Sequence, residues 1–158
     1  MTKNKVIKWN IKHFSEISVI EWHDMVQKRL EVFVVEQNCV YQDVDGKDKN
    51  AYHIYAKNSK GDIIAYARLL NKNCSYKEVS IGRVLVDKRY RKIGVGHELM
   101  NKTLYFSNRI FGQQAIRISA QEHLTKFYQN HGFEVVSSKA YLEDGIPHVE
   151  MLRKSISQ

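Results

Sequence analysis

The chain has few of the residues that mark secreted or membrane-inserted proteins. Its 158 residues include one proline and two cysteines, Cys39 and Cys74. The cysteines show no paired spacing, so we expect two free thiols in a reducing compartment. No apolar run approaches the roughly 18 residues that a transmembrane helix needs, and no apolar signal core follows the basic first residues. These absences predict a cytoplasmic protein that does not interact with a membrane.

Several signatures of metal sites and hydrolases are also missing. His97 and Glu98 begin like a His-Glu-x-x-His zinc helix, but Asn101 stands where the second histidine is required. An EF-hand loop centred on Gly46 would begin at Tyr41, which cannot supply the required calcium ligand. Neither Gly-x-Ser-x-Gly nor Gly-x-x-x-x-Gly-Lys-Ser/Thr occurs. We therefore predict no metal site and exclude the serine hydrolases and the P-loop enzymes.

Positive charge is in excess. Lysine and arginine number 25 against 17 aspartates and glutamates, which gives a formal charge of +8 and a pI near 9.4. Such a balance favours anionic partners. The basic residues are spread along the chain, whereas nucleic-acid-binding proteins more often cluster them. The densest group is Lys88, Arg89, Arg91 and Lys92, and a cofactor with several phosphates accounts for it better than a nucleic acid does.

Apolar periodicity predicts an α/β protein with a mixed sheet and helices on its faces. Strands are predicted at 6–14, 52–57, 62–70, 79–86, 115–121, 133–139 and 148–153, and helices after Ser18, at 95–111 and at 124–131. Ser18 and Glu21 have the spacing of a capping box, and Gly132 is placed to end the last helix. Without an interdomain linker, we expect residues 1–158 to form a single domain. The loop at 36–50 is either a surface loop or a wall of the substrate site.

Residues 81–100 carry the clearest chemical signal. An apolar strand is followed by a basic turn with two glycines and then by a helix start. The first N–H groups of a helix have no internal partner and carry partial positive charge, and glycine lets the backbone approach a ligand. The candidate phosphate contacts are Arg91, Lys92, Ile93, Gly94, Val95 and Gly96. The alternative is that the glycines only ease a tight turn and that the basic side chains lie in solvent.

The spacing of this loop, Arg91-x-x-Gly94-x-Gly96 after Val-x-Val, resembles the pyrophosphate loop of the GCN5-related N-acetyltransferases (GNAT). The segment at 123–133 resembles the motif that follows the cofactor strand in that family. Further segments resemble the ElaA-like subgroup, namely 33–46, 82–84, 120–121 and 143–148. Two residues depart from the subgroup. Val40 replaces a proline and Lys92 a glycine, and we expect the lysine to be tolerated unless its backbone requires a positive φ.

The resemblance implies a mixed, mostly antiparallel sheet that splays between the strands at 79–86 and 115–121, with acetyl-CoA in the gap. The residues that would contact the cofactor beside the phosphate loop are Val84, Leu85, Val86, Gln121 and Tyr128. The pantetheine arm would pair with the first three as an added strand, and a backbone N–H near Leu85 could polarise the acetyl carbonyl. Tyr128 would protonate the leaving thiolate, since an unperturbed phenol has a pKa near ~10.

The resemblance also implies that an amine attacks the acetyl group directly and that coenzyme A is the product. A base or a water chain must remove a proton from the amine. The candidates are Glu36, His53, Glu143 and His148, and the sequence leaves the choice among them open.

The acceptor is expected to be a small primary amine or a lysine, bound by a monomer or a homodimer. Acidic residues concentrate in two loops, at 36–48 and 143–144, and could form a negative mouth that attracts a cationic amine. Alternatively these acids form turns and offset nearby lysines. From other function classes, the alternatives are an acyl-CoA sensor without turnover and a basic nucleic-acid-binding module.

Overall fold

The part of the chain that the structure describes forms an eight-stranded sheet with helices packed against it. The computed structural model describes residues 6–155. Its strands are β1 (Lys8–His13), β2 (Tyr52–Lys57), β3 (Ile63–Leu70), β4 (Val79–Val86), β5 (Ile116–Gln121), β6 (Glu134–Val135), β7 (Tyr141–Glu143) and β8 (Ile146–Arg153). Its α-helices are α1 (Val19–Leu30), α2 (Val95–Phe111) and α3 (Thr125–Gln129), and α1 continues into a π-helical segment at Glu31–Glu36.

The sheet is mostly antiparallel and opens at one place. Its strand order is β1-β2-β3-β4-β5-β8-β6, with β7 paired to β8. The parallel pair β4–β5 is joined only at Val79–Ile116 and Ser80–Arg117 within residues 6–155, and the two strands then separate. The predicted mixed sheet that splays between these two strands is therefore confirmed.

A bulge in β4 lies where β4 leaves β5. Between the pairs Arg68–Gly82 and Tyr66–Leu85, β4 has one residue more than β3. Arg83 lies in this interval with a φ of 51°, in the left-handed region. A bulge bends and twists the strand that carries it, so the second half of β4 turns away from β5 and its backbone faces an open cleft.

Helices cover both faces of the sheet, as predicted. The side chain of Ser18 caps α1 by accepting from the N–H of Glu21 (3.1 Å). The apolar side of α1 and its π-helical extension packs on Tyr55, Tyr66 and Leu85. On the opposite face, the buried stripe of α2 and Tyr128 of α3 join a larger core with residues of β2–β5 and β8. Burial of both helix stripes and both sheet faces stabilises the open sheet despite its gap.

The C-terminal strands differ from the prediction. The strand expected at 133–139 is only two residues long, because the Ser137 side chain, not the backbone, accepts from the N–H of Glu150 (3.0 Å). Residues 143–147 were expected to separate the last two strands. Instead they form the turn and the adjoining strand ends of a β7–β8 hairpin. Asp144 and Gly145 both have positive φ, at 50° and 80°, which is the geometry that Asp-Gly favours in two-residue hairpin turns.

Among residues 6–155, no helix is long and apolar enough to cross a membrane.

Candidate active site

A cavity of about 330 Å³ lies in the cleft between β4 and β5. The β4 side contributes the bulge at Gly82–Val84, and the β5 side contributes Ser119 and Gln121. The loop at 37–47 and the β7–β8 hairpin form further walls, and a thiol–carbonyl contact joins them, from Cys39 Sγ to the Asp144 oxygen (3.2 Å). A cavity of this size accommodates a small ligand or a single side chain.

Tyr128 lines this cavity from α3. Its side chain is buried, and edge-on contacts with the rings of Phe127 and Phe133 hold the phenol ring (centroids 5.1 and 6.0 Å apart). Its hydroxyl has no hydrogen-bond partner among residues 6–155. Burial raises the pKa of Tyr128 well above its ordinary value. The hydroxyl therefore stays protonated at neutral pH and is available as a proton donor.

His148 and Glu143 meet on the opposite wall. His148 is buried, and its Nδ1 donates to the carbonyl oxygen of Ile146 (2.7 Å). Its Nε2 lies 3.2 Å from Oε2 of Glu143, whose side chain is half exposed. Since a carbonyl oxygen can only accept, the Ile146 contact places a hydrogen on Nδ1 and leaves Nε2 directed towards the Glu143 carboxylate. Because Glu143 is half exposed, the pair lies between the cavity and solvent.

His53 lies away from this site. It is fully buried in β2, where its two ring nitrogens contact the Tyr66 hydroxyl (2.5 Å) and the carbonyl oxygen of Asp48 (3.0 Å). Burial lowers the pKa of His53 to about 4. Because His53 has no place in the cavity wall, it has no route to an acceptor amine bound there. The structure does not bring it together with the other base candidates.

Glu36 lies beside the phosphate loop. Its carboxylate forms an ion pair with Arg91 (Oε2 to Nη2, 2.8 Å), and Arg91 Nε also donates to the carbonyl oxygen of Val86 (2.9 Å). Glu36 does not line the cavity that holds Tyr128 and His148. Its position suits holding Arg91 in place at the end of β4 better than accepting a proton from the acceptor amine.

The loop before α2 has an open helix N-terminus. Gly94 is the N-cap residue with a φ of 88°, and no side chain caps the helix there. A Cβ built on Gly96 would lie 3.5 Å from the ring of Phe127 and 3.7 Å from the Val86 side chain, so it would fill the space between β4 and α3. Unpartnered N–H groups beside a space that a side chain would fill suit a phosphorylated ligand.

The acidic loop at 36–50 does not form its half of a negative mouth, and this part of the prediction is wrong. Arg29 of α1, which is fully buried, forms ion pairs with Asp43 (Nε–Oδ2, 2.8 Å) and Asp48 (Nη1–Oδ1, 2.7 Å). Arg68 of β3 binds both carboxylate oxygens of Asp45 (2.8 and 2.9 Å). The acids of the 36–50 loop are therefore neutralised by arginines from other elements.

Arg83, the residue in the β4 bulge, also belongs to this ion-pair network. Arg83 Nε lies 2.9 Å from Oδ1 of Asp43, and Nη2 donates to the Asp43 carbonyl oxygen (3.0 Å). Although burial by itself raises the pKa of Asp45, hydrogen bonds and charges from Arg68 and Arg83 hold it well below its usual range. Three arginines thus balance three aspartates, and the network fixes the 37–50 loop to α1, β3 and β4.

Comparison with known proteins agrees with this geometry. The family model described as an acetyltransferase (GNAT) domain matches residues 21–155. The chain belongs to the GNAT acetyltransferase family. Protein ElaA of Escherichia coli is 42% identical over 152 residues, which cover 96% of this chain and 99% of ElaA. A UPF0039 protein of Synechocystis is 40% identical over 146 residues, 92% of this chain and 94% of that protein.

Solved structures support the same assignment. The crystal structure of E. coli ElaA superposes with a TM-score of 0.88 at 41% identity, covering 94% of this chain and 100% of that one. An acyl-CoA N-acyltransferase from Pseudomonas aeruginosa gives a TM-score of 0.86 at 40% identity, with 92% and 99% coverage. The predicted GNAT resemblance and fold are confirmed, and the class of activity is acyl transfer from acyl-CoA.

Lys92 departs from the glycine common in this family, and its backbone does not fit a lysine. Its φ is 65°, in the left-handed region, where any side chain with a Cβ is disfavoured. The expectation that the lysine is tolerated was conditional on a φ that is not positive, and the structure does not meet this condition. The GNAT fold forms here in spite of a strained residue in its phosphate loop.

Lys92→Gly is expected to increase the free energy of unfolding by about 1 kcal/mol, because glycine adopts a positive φ without steric cost. Chemical denaturation monitored by circular dichroism measures the change. Lys88→Gly is the matched control, since Lys88 is exposed in the same loop and does not have a positive φ, and it should not stabilise the protein. Equal effects of the two substitutions would contradict strain at Lys92.

Two buried arginines, Arg68 in the cavity wall and Arg29 behind it, were not predicted from the sequence. Arg68 lies within an otherwise apolar buried strand, and Arg29 lies on the apolar stripe of α1. A charge on a buried face requires a partner, so both positions signalled an internal ion-pair network. The aspartates of the 36–50 loop were its available partners.

Proposed function

We propose that this chain is an N-acetyltransferase that moves an acetyl group from acetyl-CoA to a primary amine, on a small molecule or a lysine, by direct transfer. Residues 1–158 would form one catalytic domain. The observation that carries the proposal is the cavity between β4 and β5, because a proton donor, Tyr128, and a proton-accepting pair, His148 and Glu143, line it together. The free thiols of Cys39 and Cys74 support a reducing, cytoplasmic location.

The residues around the cleft suit binding of acetyl-CoA. The open helix N-terminus at 94–96 would hold the pyrophosphate, with Arg91 and Lys92 adding positive charge. The separated half of β4, at Val84–Val86, would pair with the pantetheine arm. Gln121 lines the cavity at the end of β5, and its side-chain amide reaches Gln37 on the opposite wall (3.5 Å).

The cavity residues divide the proton transfers between them. The His148 imidazole, whose hydrogen lies on Nδ1, accepts at Nε2 the proton that the neutral acceptor amine loses as it attacks, and the Glu143 carboxylate stabilises the imidazolium that forms. The amine nitrogen then forms a bond to the acetyl carbonyl carbon, whose oxygen a backbone N–H near Leu85 polarises. The carbon–sulfur bond breaks, and Tyr128 donates its proton to the departing sulfur. Solvent restores the Tyr128 proton, and N-acetyl amine and coenzyme A are the products.

An amine panel tests this function. The protein is incubated with acetyl-CoA and individual amines, and thiol release is measured together with the mass of the acetylated product. Release that depends on both protein and amine supports the proposal. Tight binding of acetyl-CoA in calorimetry without thiol release from any amine would instead support a sensor. When the concentrations of acetyl-CoA and amine are both varied, direct transfer predicts double-reciprocal plots of the initial rate that intersect. Parallel lines would indicate a covalent acyl-enzyme.

Gly96→Val is expected to weaken acetyl-CoA binding at least about tenfold, since a side chain between Val86 and Phe127 would displace ligand groups from charge-assisted contacts with the backbone. Calorimetric titration with coenzyme A measures the affinity. Gly94→Val should weaken binding too, but its φ of 88° adds backbone strain. Asn101→Val, an exposed site later in α2, is the control. Unchanged affinity in both glycine variants would remove the phosphate site from 91–96.

A further inference from the structure

The charged residues of the cavity are divided between its two walls. Glu143, Asp144 and His148 come from the β7–β8 hairpin, which pairs with the β5 side of the cleft. The opposite wall, on the β3–β4 side, carries Asp45 together with three cations, Lys47, Arg68 and Arg83. The cavity thus has a cationic wall that faces the proton-transfer wall.

Lys47 is the unbalanced charge of the cationic wall. The arginines Arg68 and Arg83 share the aspartates of the 43–48 segment with Arg29, so these charges cancel. The half-buried ammonium of Lys47 donates to the Ser75 hydroxyl (Nζ–Oγ, 2.9 Å) and has no carboxylate within ion-pair distance among residues 6–155. An ammonium has three hydrogens to donate, so Lys47 retains donors and charge for a ligand.

A second donor on the same wall also lacks an acceptor. The Nε–H of Arg68 is buried without a hydrogen-bond partner within residues 6–155, although Arg68 is only 3% exposed. A buried donor without a partner is costly, unless a ligand supplies the acceptor. Lys47 and Arg68 line the same cavity, and Lys47 gives this wall one net positive charge and two further hydrogens to donate.

We infer that the acceptor carries a carboxylate as well as its amine, and that Lys47 binds this carboxylate. The inference rests on the proposed acetyl transfer and names its acceptor class as small amino-carboxylates. The amine would lie towards His148 and Glu143, and the carboxylate would lie against the ammonium of Lys47. The volume of about 330 Å³ suits such a molecule. A cationic diamine would place a positive charge against Lys47 and is disfavoured.

The test compares ω-amino carboxylates, from glycine to 6-aminohexanoate, with the corresponding ω-amino amides as acceptors. The wild-type protein should have the higher kcat/KM for the carboxylates. Lys47→Met should lower kcat/KM for the best carboxylate by about 10- to 100-fold, the usual effect of losing a hydrogen bond between charged groups, chiefly through KM. Lys47→Arg should restore part of the loss, and the amides should change less than about twofold. Lys49→Met, which removes an exposed lysine of the same segment, is the control.

Several outcomes would overturn this inference. They are a preference for amides or diamines, equal effects of Lys47→Met on carboxylates and amides, and equal effects of Lys47→Met and Lys49→Met. Calorimetry of the same carboxylates with coenzyme A-saturated protein gives a readout that does not depend on turnover. Binding that Lys47→Met abolishes supports the carboxylate site, and no binding overturns it. Absence of thiol release from every amine would count against the proposed transfer, and this binding result would still decide the site.

Discussion

Tyr128→Phe is expected to lower kcat by about 10²- to 10⁴-fold and to leave the affinity for acetyl-CoA unchanged. The substitution removes one hydroxyl and keeps the ring that packs against Phe127 and Phe133. Loss of a general acid typically has this magnitude. Burial raises the pKa of Tyr128, so the hydroxyl is protonated throughout the neutral range, and the difference between the variants should persist from pH 6 to pH 9.

Steady-state kinetics measures the loss of kcat in Tyr128→Phe, and calorimetry with coenzyme A measures its affinity for the cofactor. Tyr105→Phe, at an exposed position on α2, is the control and should have wild-type kcat. A solvent isotope effect on the wild-type rate establishes that proton transfer limits turnover. An unchanged kcat in Tyr128→Phe under that condition would mean that Tyr128 is only a packing residue of the core.

Arg29→Met is expected to lower the free energy of unfolding by about 3–5 kcal/mol. Removing one partner of a buried ion pair leaves the other charge without compensation. Here the side chains of Asp43 and Asp48 are nearly inaccessible to solvent, at 0% and 3% exposure, and would lose their ion pairs with Arg29, so that three aspartates would share two arginines. The guanidinium also packs between the rings of Trp22 and Tyr66 (5.8 and 5.6 Å to the centroids), so packing is lost as well.

Urea denaturation compares this variant with Arg89→Met. Arg89 also forms an ion pair, with Asp87, but its side chain is 54% exposed, and exposed pairs contribute about 0–1 kcal/mol. If Arg29→Met does not fold, Arg29→Lys keeps the charge, and an intermediate loss of stability is expected. Equal, small effects at Arg29 and Arg89 would contradict a role of the buried network in stability. In a folded variant, a raised KM for the acceptor would show that the 37–50 loop forms a wall of its site.

The phosphate loop could be predicted because its geometry is local. A strand, a turn with glycines and a helix start are neighbours in sequence, so the backbone that would hold a phosphate is specified within about one turn of helix. Tyr128 was found in the same way, from the resemblance of a short segment around it. The backbone angle of Lys92 was not predicted, because composition alone does not reveal which loop residue adopts a positive φ.

The division between strands and turns near the C-terminus depended on pairing. An apolar run at 133–139 satisfies the pattern of a strand, but only Glu134 and Val135 pair with β8 in register, and after the Val136 N–H bond to Glu150 the Ser137 side chain replaces the backbone as the acceptor. The Asp144–Gly145 turn was a hairpin signal in the sequence. Its consequence, that Glu143 meets His148 across the turn, became apparent only in the folded chain.

By itself, the amino-acid sequence determined the family and, through that resemblance, the mixed sheet with its gap. It also determined the strand, the glycine turn and the helix start at 81–100, because these lie close together along the chain. Only the tertiary structure decided which charges offset one another in the 36–50 loop and which of the base candidates lie together in the cavity. Counting acids in the loop predicted a negative mouth, yet their partners Arg29, Arg68 and Arg83 come from other elements, 14 to 40 residues away for the contacts of Asp43. The sign of the charge at a site depends on which charged groups lie near it in space, whereas a sequence gives only the separation of those groups along the chain.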